Sequence, residues 1–187
     1  MPIVADPDGP IVNVQRIDAD GVKRPITGGT MTGVFHVIPG TGTTILCEGY
    51  ATGATLHAAT GRPVVVTFFA DNLPTVAAKL ALPNAVVAAD NDNAVKPGTV
   101  FRRKPDTWGK GHRVAMATGL PFYLPPTPGA DFNDLGVEAT AEILAGDPVS
   151  TLPIFDAWKL DRIEIKGRRD GDLARALARV STPSEAA

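Results

Sequence analysis

The sequence predicts an α/β protein: a small parallel sheet flanked by helices, preceded by an antiparallel β unit. Short, continuous apolar runs such as 64–69 are typical of strands buried on both faces, and they alternate with alanine-rich helical stretches. Such alternation indicates parallel strands joined by right-handed crossovers. A hydrophobic fraction of 44% and a charged fraction of 20% over 187 residues indicate a globular domain rather than a disordered chain.

The first part of the chain predicts a separate antiparallel unit. Residues 1–10 contain prolines and acids, and we expect them to form a flexible lead-in. A partly alternating strand comes next at 11–17, and the Asp20-Gly21 turn returns the chain as a second strand at 22–26. A third strand is expected at 34–38, so the antiparallel unit spans 11–38.

The main domain is expected at 43–146, where strands and helices alternate. Its predicted strands are 43–47, 64–69, 85–89 and 122–124, and its predicted helices are 52–60, 72–81 with Asn72 as cap, 110–118 and 137–145. Residues 147–187 are expected to form a C-terminal extension with a strand at 163–166 and a helix at 172–180.

Composition restricts the location and the partners of the protein. Apolar runs are far shorter than the roughly 20 residues of a membrane helix, and Met1 is not followed by a signal-peptide pattern. The single cysteine, Cys47, fits a reducing compartment, so we expect a cytoplasmic protein without membrane contact. The net charge of −2 excludes a general basic coat, so nucleic-acid binding would depend on local patches or metal ions.

Acidic residues follow the ends of several predicted strands. They are Glu48, the pair Asp90 and Asp92, and the pair Asp131 and Asp134. The carboxyl ends of parallel strands meet at one edge, where crowded carboxylates repel each other unless protons or cations intervene. Magnesium takes such hard oxygen ligands and can bridge substrate phosphates. Asp and Asn also favour turns, so a purely structural role stays open.

Basic residues cluster close after Asp92 in the sequence. They could contact phosphates of a template, a primer or an incoming nucleotide, although a solvated loop would show the same pattern. The cluster comprises Lys96, Arg102, Arg103, Lys104, Lys110 and Arg113.

The ordered set of motifs resembles the Toprim domain, and within that family the primases of phages and plasmids. The motifs are Cys47-Glu48-Gly49-Tyr50 after a buried strand, Asp90-Asn91-Asp92 two crossovers later, and Asp131-Phe132-Asn133-Asp134. The earlier Gln15-Arg16-Ile17, Lys23-Arg24 and Gly28-Gly29 resemble the segment that precedes Toprim in those primases. One departure is the stretch 95–109, which is longer than the usual entry into the next helix.

The resemblance implies a role for each acid. Glu48 would be the general acid/base of nucleotide transfer and could also complete a metal site. Asp90 and Asp92 would bind Mg²⁺, for which Mn²⁺ can substitute, with Asp131 and Asp134 as supporting acids.

The activity implied is that of a DNA primase, which joins nucleoside triphosphates into a primer on a single-stranded DNA template. A Toprim nuclease that cuts phosphodiesters, and an inactive module that docks nucleic acid or a replication partner, are the alternatives. The sequence has one cysteine and no P-loop. A zinc-binding module and a helicase would therefore lie on another chain or in a missing part, and the chain is either an excised domain or a short standalone protein.

Overall fold

The computed structural model describes residues 1–82, 84–92 and 109–148. The chain divides into a unit Met1–Val149 and a unit Ser150–Ala187, and the second lies outside the described residues. The strands are β1 (Pro2–Val4), β2 (Ile11–Ile17), β3 (Lys23–Pro25), β4 (His36–Ile38), β5 (Ile45–Cys47), β6 (Val64–Val66), β7 (Val86–Ala88) and β8 (Phe122–Tyr123). The helices are α1 (Tyr50–Thr60), α2 (Leu73–Leu80), α3 (Lys110–Ala117) and α4 (Phe132–Ala145), and a 3-10 turn, Ala70–Asn72, precedes α2.

A five-stranded sheet forms the centre of the described unit, with the order β4-β6-β5-β7-β8. The pairs β5–β6, β5–β7 and β7–β8 are parallel, and only the edge strand β4 runs antiparallel to its neighbour β6. Every residue of β5, β6 and β7 is buried, because helices cover both faces of the sheet. The predicted α/β class with a small parallel sheet is confirmed.

Successive side chains along each strand point to opposite faces of the sheet, and a different layer of helices covers each face. Cys47 on β5 and Ala88 on β7 belong to the face whose core includes Leu56 of α1 together with Phe132 and Leu144 of α4. On the opposite face, α2 contacts β5 and also packs against α3. The ring of His112 in α3 lies 5.2 Å from that of Phe122 in β8, which completes this second layer.

The small sheet β1-β2-β3 is antiparallel throughout, as predicted for this part of the chain. Strands β2 and β3 match the strands expected at 11–17 and 22–26, but the third strand of the sheet is not the expected one. The lead-in at 1–10 was expected to be flexible, yet residues 2–4 form β1, and the Met1 ammonium donates to the Gln15 carbonyl at 2.8 Å. The third expected strand, at 34–38, instead becomes β4 of the large sheet. Local alternation predicts a strand, but its partner depends on distant contacts.

Two helix starts also differ from expectation. Asn72 occupies the N-cap position of α2 but makes no side-chain capping bond. Its buried side-chain amide instead accepts from the Gly33 N–H at 2.7 Å and donates to the Val34 and Thr67 carbonyls at 2.8 Å each. Helix α4 begins at Phe132 rather than near 137, and Gly136, with a φ of 77°, bends it at that point. The predicted helix near Lys110 is confirmed.

Within the described ranges, none of the helices combines the length and the apolarity needed to cross a bilayer. The predicted strand at 163–166 and helix at 172–180 lie outside the described residues. The division into segments 1–10, 11–38, 43–146 and 147–187 stays a prediction.

Candidate active site

Two strand ends bring acids to the same edge of the large sheet. Strands β5 and β7 are parallel neighbours, with Cys47 beside Ala88 in the register. Glu48 directly follows Cys47, and Asp90 follows Ala88 by two residues. Because paired strands lie about 4.8 Å apart, both acids leave the sheet at adjacent points. Glu48 and Asp90 therefore share one edge, as the sequence predicts.

Asp90 is the most perturbed acid of this edge. Burial, together with the negative charges of Glu48, Asp131 and Asp92, raises its pKa from 3.8 to about 7. The positive charge of Lys23 opposes this shift. The Asp90 Oδ1 atom is buried and accepts no hydrogen bond from any residue that the structure describes. An oxygen in this state favours a proton or a cation as its partner.

The neighbours of Glu48 shift its pKa in both directions. Burial raises its pKa, and the charge of Asp92 raises it further. The positive charges of Lys110 and Lys23 and a hydrogen bond from the Ala70 N–H lower it. The Glu48 carboxylate thus has both negatively and positively charged neighbours, and it accepts a hydrogen bond from the segment after β6.

The loop that carries Asp90 and Asp92 is fixed by the residue between them. The Asn91 N–H donates to the Ala130 carbonyl at 3.0 Å, and its buried side-chain amide donates to the Pro125 carbonyl at 2.8 Å. The Gly129 N–H donates to the Asn91 carbonyl. These bonds join the loop after β7 to the segment after β8, and they fix the backbone that carries the two acids in place.

Two glycines at the start of α3 allow the helix to approach this loop. The Gly111 N–H donates to Asp92 Oδ2 at 2.7 Å. A Cβ on Gly111 would collide with the Asp90 carbonyl oxygen, and one on Gly109 would lie 2.5 Å from Asp92 backbone and side-chain carbons. Only glycine permits this contact, in which the positive end of α3 faces the Asp92 carboxylate.

The carboxylates of Asp131 and Asp134 accept hydrogen bonds from backbone N–H groups at the start of α4. Asp131 Oδ1 accepts from the Asp134 N–H, and Asp134 Oδ2 accepts from the Asp131 N–H, both at 3.0 Å. This is a reciprocal capping box, and the three-residue spacing in the sequence is its signal. The charge of Asp131 still acts on Asp90 and Cys47. Asp134 is exposed and directed to the cap, so the structure does not bring its carboxylate into the acid group.

Of the predicted basic residues, Lys110 and Arg113 belong to α3. Lys110 Nζ forms an ion pair with Asp71 Oδ2 at 2.8 Å, and this hydrogen bond is the main reason that the lysine pKa is raised. The charges of Glu48 and Asp92 contribute to the same shift. The other four predicted residues, Lys96, Arg102, Arg103 and Lys104, lie outside the described residues.

Sequence reasoning did not assign Lys23 to the site. It lies on β3, and its charge acts on both Glu48 and Asp90. The only signal in the sequence is its place in the Lys23-Arg24 motif upstream of the main domain. Nothing in that motif indicates which of the two side chains faces the acids.

The donor set suits a hard divalent cation. In the described part of the chain, no three His, Cys, Asp or Glu side chains converge as a complete ion site. Magnesium does not require one, because it usually keeps several waters and uses one or two carboxylates plus substrate phosphates. Asp90, with its unused buried oxygen, and Asp92 beside it fit that requirement. Cys47 is fully buried and burial raises its pKa, which disfavours a thiolate ligand.

Comparison with known proteins identifies the family of the chain. The chain is 36% identical over 101 residues to the protein described as DNA primase TraC of Escherichia coli, an alignment that covers 49% of this chain and 10% of that protein. The chain thus spans about a tenth of the length of this curated relative. No solved structure matches significantly. The family described as Toprim domain matches residues 43–142, more than half of the chain, and such domains generally bind divalent metals. This protein belongs to the Toprim domain family.

Proposed function

We propose that this protein is a Mg²⁺-dependent nucleotidyltransferase of the primase type, which extends primers on single-stranded DNA from nucleoside triphosphates. Family membership and the likeness to a protein named DNA primase support this proposal. The observation that carries it is the Asp90 carboxylate, half-buried beside Glu48 with an oxygen that no described residue satisfies. Replication of a phage or plasmid is the process that we propose it serves, in the cytoplasm.

Each acid receives a distinct role in this proposal. Asp90 and Asp92 would hold the divalent cation, which, when bound, neutralises charge on substrate phosphate oxygens. Glu48 would accept the proton of the attacking hydroxyl, because its raised pKa makes it a stronger base than an exposed carboxylate. Glu48 could also provide an oxygen to a second ion. Asp131 would raise the pKa of Asp90 through its negative charge, and it also caps α4.

Other parts of the primase function would come from outside the acid group. Lys96, Arg102, Arg103, Lys104, Lys110 and Arg113 remain proposed contacts for template or nucleotide phosphates. A zinc-binding module for template capture and a helicase are proposed partners, on another chain or on a part beyond this sequence. A pre-annealed primer on the template would bypass the need for such a capture module.

The test is extension of a labelled primer on single-stranded template with Mg²⁺ and nucleotides, compared with nicking of a supercoiled plasmid. Primer growth that Asp90→Ala abolishes and Glu138→Ala retains would support the proposal, since Glu138 is an exposed acid of α4. Strand breaks without synthesis would indicate the nuclease instead. A docking module would bind DNA equally well with Asp90→Ala but lose binding when Arg102, Arg103 and Lys104 are replaced.

A further inference from the structure

Lys23 reaches the candidate site from a part of the chain outside the family match, which begins at residue 43. It lies on β3, where Lys23 pairs with Ile17 and Arg24 pairs with Arg16 in the register with β2. Successive side chains of a strand point to opposite faces, so Lys23 and Arg24 diverge. Lys23 Nζ is 3.5 Å from the position that a Cβ on Gly49 would occupy, directly after Glu48.

The ammonium group is close enough to influence both principal acids. Its positive charge favours the ionised forms of Glu48 and Asp90. The small antiparallel sheet therefore places the positive charge of Lys23 at an edge whose other charges are mostly negative. This position is suited to a group that binds the anionic part of a substrate while the acids hold a cation.

Lys23 can bind a ligand without breaking an ion pair to a described residue, whereas Lys110 would have to exchange its ion pair with Asp71. Lys110 is engaged with Asp71 at 2.8 Å. The ion pairs formed among the described residues involve Arg24, Lys79 and Lys110, and Lys23 takes part in none of them. Lys23 is an exposed residue, so a ligand can reach it from solvent.

We propose that Lys23 binds a phosphate group of the nucleoside triphosphate at the acid site, so that the small sheet completes the active site. The inference rests on the proposed function for the identity of the substrate. A lysine is a compact charge with three donors, which suits the several oxygens of a triphosphate. The competing explanation is that Lys23 only neutralises the acids.

Two binding measurements on the full chain separate these explanations. The first is calorimetric binding of a non-hydrolysable triphosphate in Mg²⁺, and the second is binding of Mn²⁺ alone. Lys23→Ala should weaken triphosphate binding about tenfold or more, because one charge-assisted contact is lost. It should leave Mn²⁺ binding unchanged or tighter, because a competing positive charge is removed. Lys23→Arg should restore most of the triphosphate affinity.

Arg24→Ala is the matched control, since Arg24 is the next residue of the same strand and pairs with Asp18 at 3.5 Å. It should bind both probes like the wild type, and thermal unfolding should show that all variants are folded. Triphosphate affinity of Lys23→Ala within twofold of the wild type would overturn the proposal. An equal loss of Mn²⁺ and triphosphate binding would also overturn it, because Lys23 would then only support the acids.

The primer-extension assay distinguishes this failure from failure of the proposed function. Lys23-dependent triphosphate binding without any synthesis would retain the inference and refute the primase. Synthesis that is unaffected by Lys23→Ala would refute the inference about Lys23 and retain the primase. A wild type that binds no triphosphate would overturn both.

Discussion

The pair Asp90 and Asp92 and the pair Asp131 and Asp134 both come after strands of the large sheet, yet they are used differently. Asp90 has a buried oxygen that accepts no bond from the described residues, and its pKa is raised to about 7. Asp131 and Asp134 satisfy each other's backbone N–H groups in a capping box. Acids that follow neighbouring strands thus differ in the hydrogen bonds that they accept, and only Asp90 keeps a buried oxygen without a described donor.

The difference arises from the segment that each strand leads into. After β7 the chain makes a loop whose backbone is held by Asn91, and Asp90 Oδ1 is left without a hydrogen bond from the described residues, whereas Asp92 accepts one from the Gly111 N–H of α3. Asp131 immediately precedes α4, and the first N–H groups of that helix need acceptors. The N–H groups at the start of α4 occupy the oxygens of Asp131 and Asp134. The loop after β7 is held by other groups, so Asp90 Oδ1 stays available to a proton or a cation.

The largest effect is expected for Asp90→Asn measured against Asp134→Asn. Loss of the Asp90 charge should reduce primer extension at least about 100-fold, because the proposed cation loses its buried ligand. Asp134→Asn should stay within about threefold of the wild type, since its oxygen serves the cap. Initial rates at saturating nucleotide measure both. Equal losses in the two variants would remove the distinction between the pairs.

A second comparison concerns the glycines beside the two loops that carry Glu48 and Asp90. Gly111→Ala should destabilise the protein by about 1–3 kcal/mol and impair activity, because the added methyl group collides with the Asp90 carbonyl. Gly49→Ala should be much milder for stability, since its added methyl group meets nothing closer than 3.5 Å. Denaturant unfolding of both variants measures this. A Gly111→Ala protein as stable as the wild type would argue against the tight contact.

The raised pKa of Asp90 predicts a pH-dependent effect on stability in the absence of metal. Between pH 3.8 and about 7 the folded state holds a proton that the unfolded state has lost, so stability falls as pH rises through this range. Asp90→Asn removes this cost and should stabilise the protein at pH 8 by up to about 4 kcal/mol. The gain should shrink below pH 7 and vanish near pH 4.

Thermal unfolding in chelator at several pH values measures this gain, with Asp134→Asn as the comparison. A gain from Asp90→Asn that is the same at pH 4 and pH 8 would show that Asp90 does not titrate as described.

The smallest effect is expected for Asp134→Ala. Removing one half of the capping box should cost about 0.5–1 kcal/mol and leave the rate of primer extension within about twofold. Chemical denaturation and initial rates measure the two quantities. A large loss of activity without loss of stability would place Asp134 in the site after all.

The sequence predicts the centre of the molecule better than its edges. Buried apolar runs predict the parallel strands, and the acids that come after β5 and β7 then meet at one edge because parallel strands share a direction. The capping role of Asp134 had a local signal, its spacing from Asp131, that competed with the metal interpretation. Lys23 had no such signal, because its approach to Glu48 depends on how a second sheet packs.

Asp92 and Gly109 are described on either side of residues 93–108, and they lie against each other at one point of the domain surface. The entropic cost of closing a loop depends only weakly on its length. Relatives could therefore carry segments of very different size here without moving Asp90 or α3. The same two points offer an engineer a place to insert a foreign module next to the acid-bearing edge of the sheet, or to shorten the chain to a brief linker.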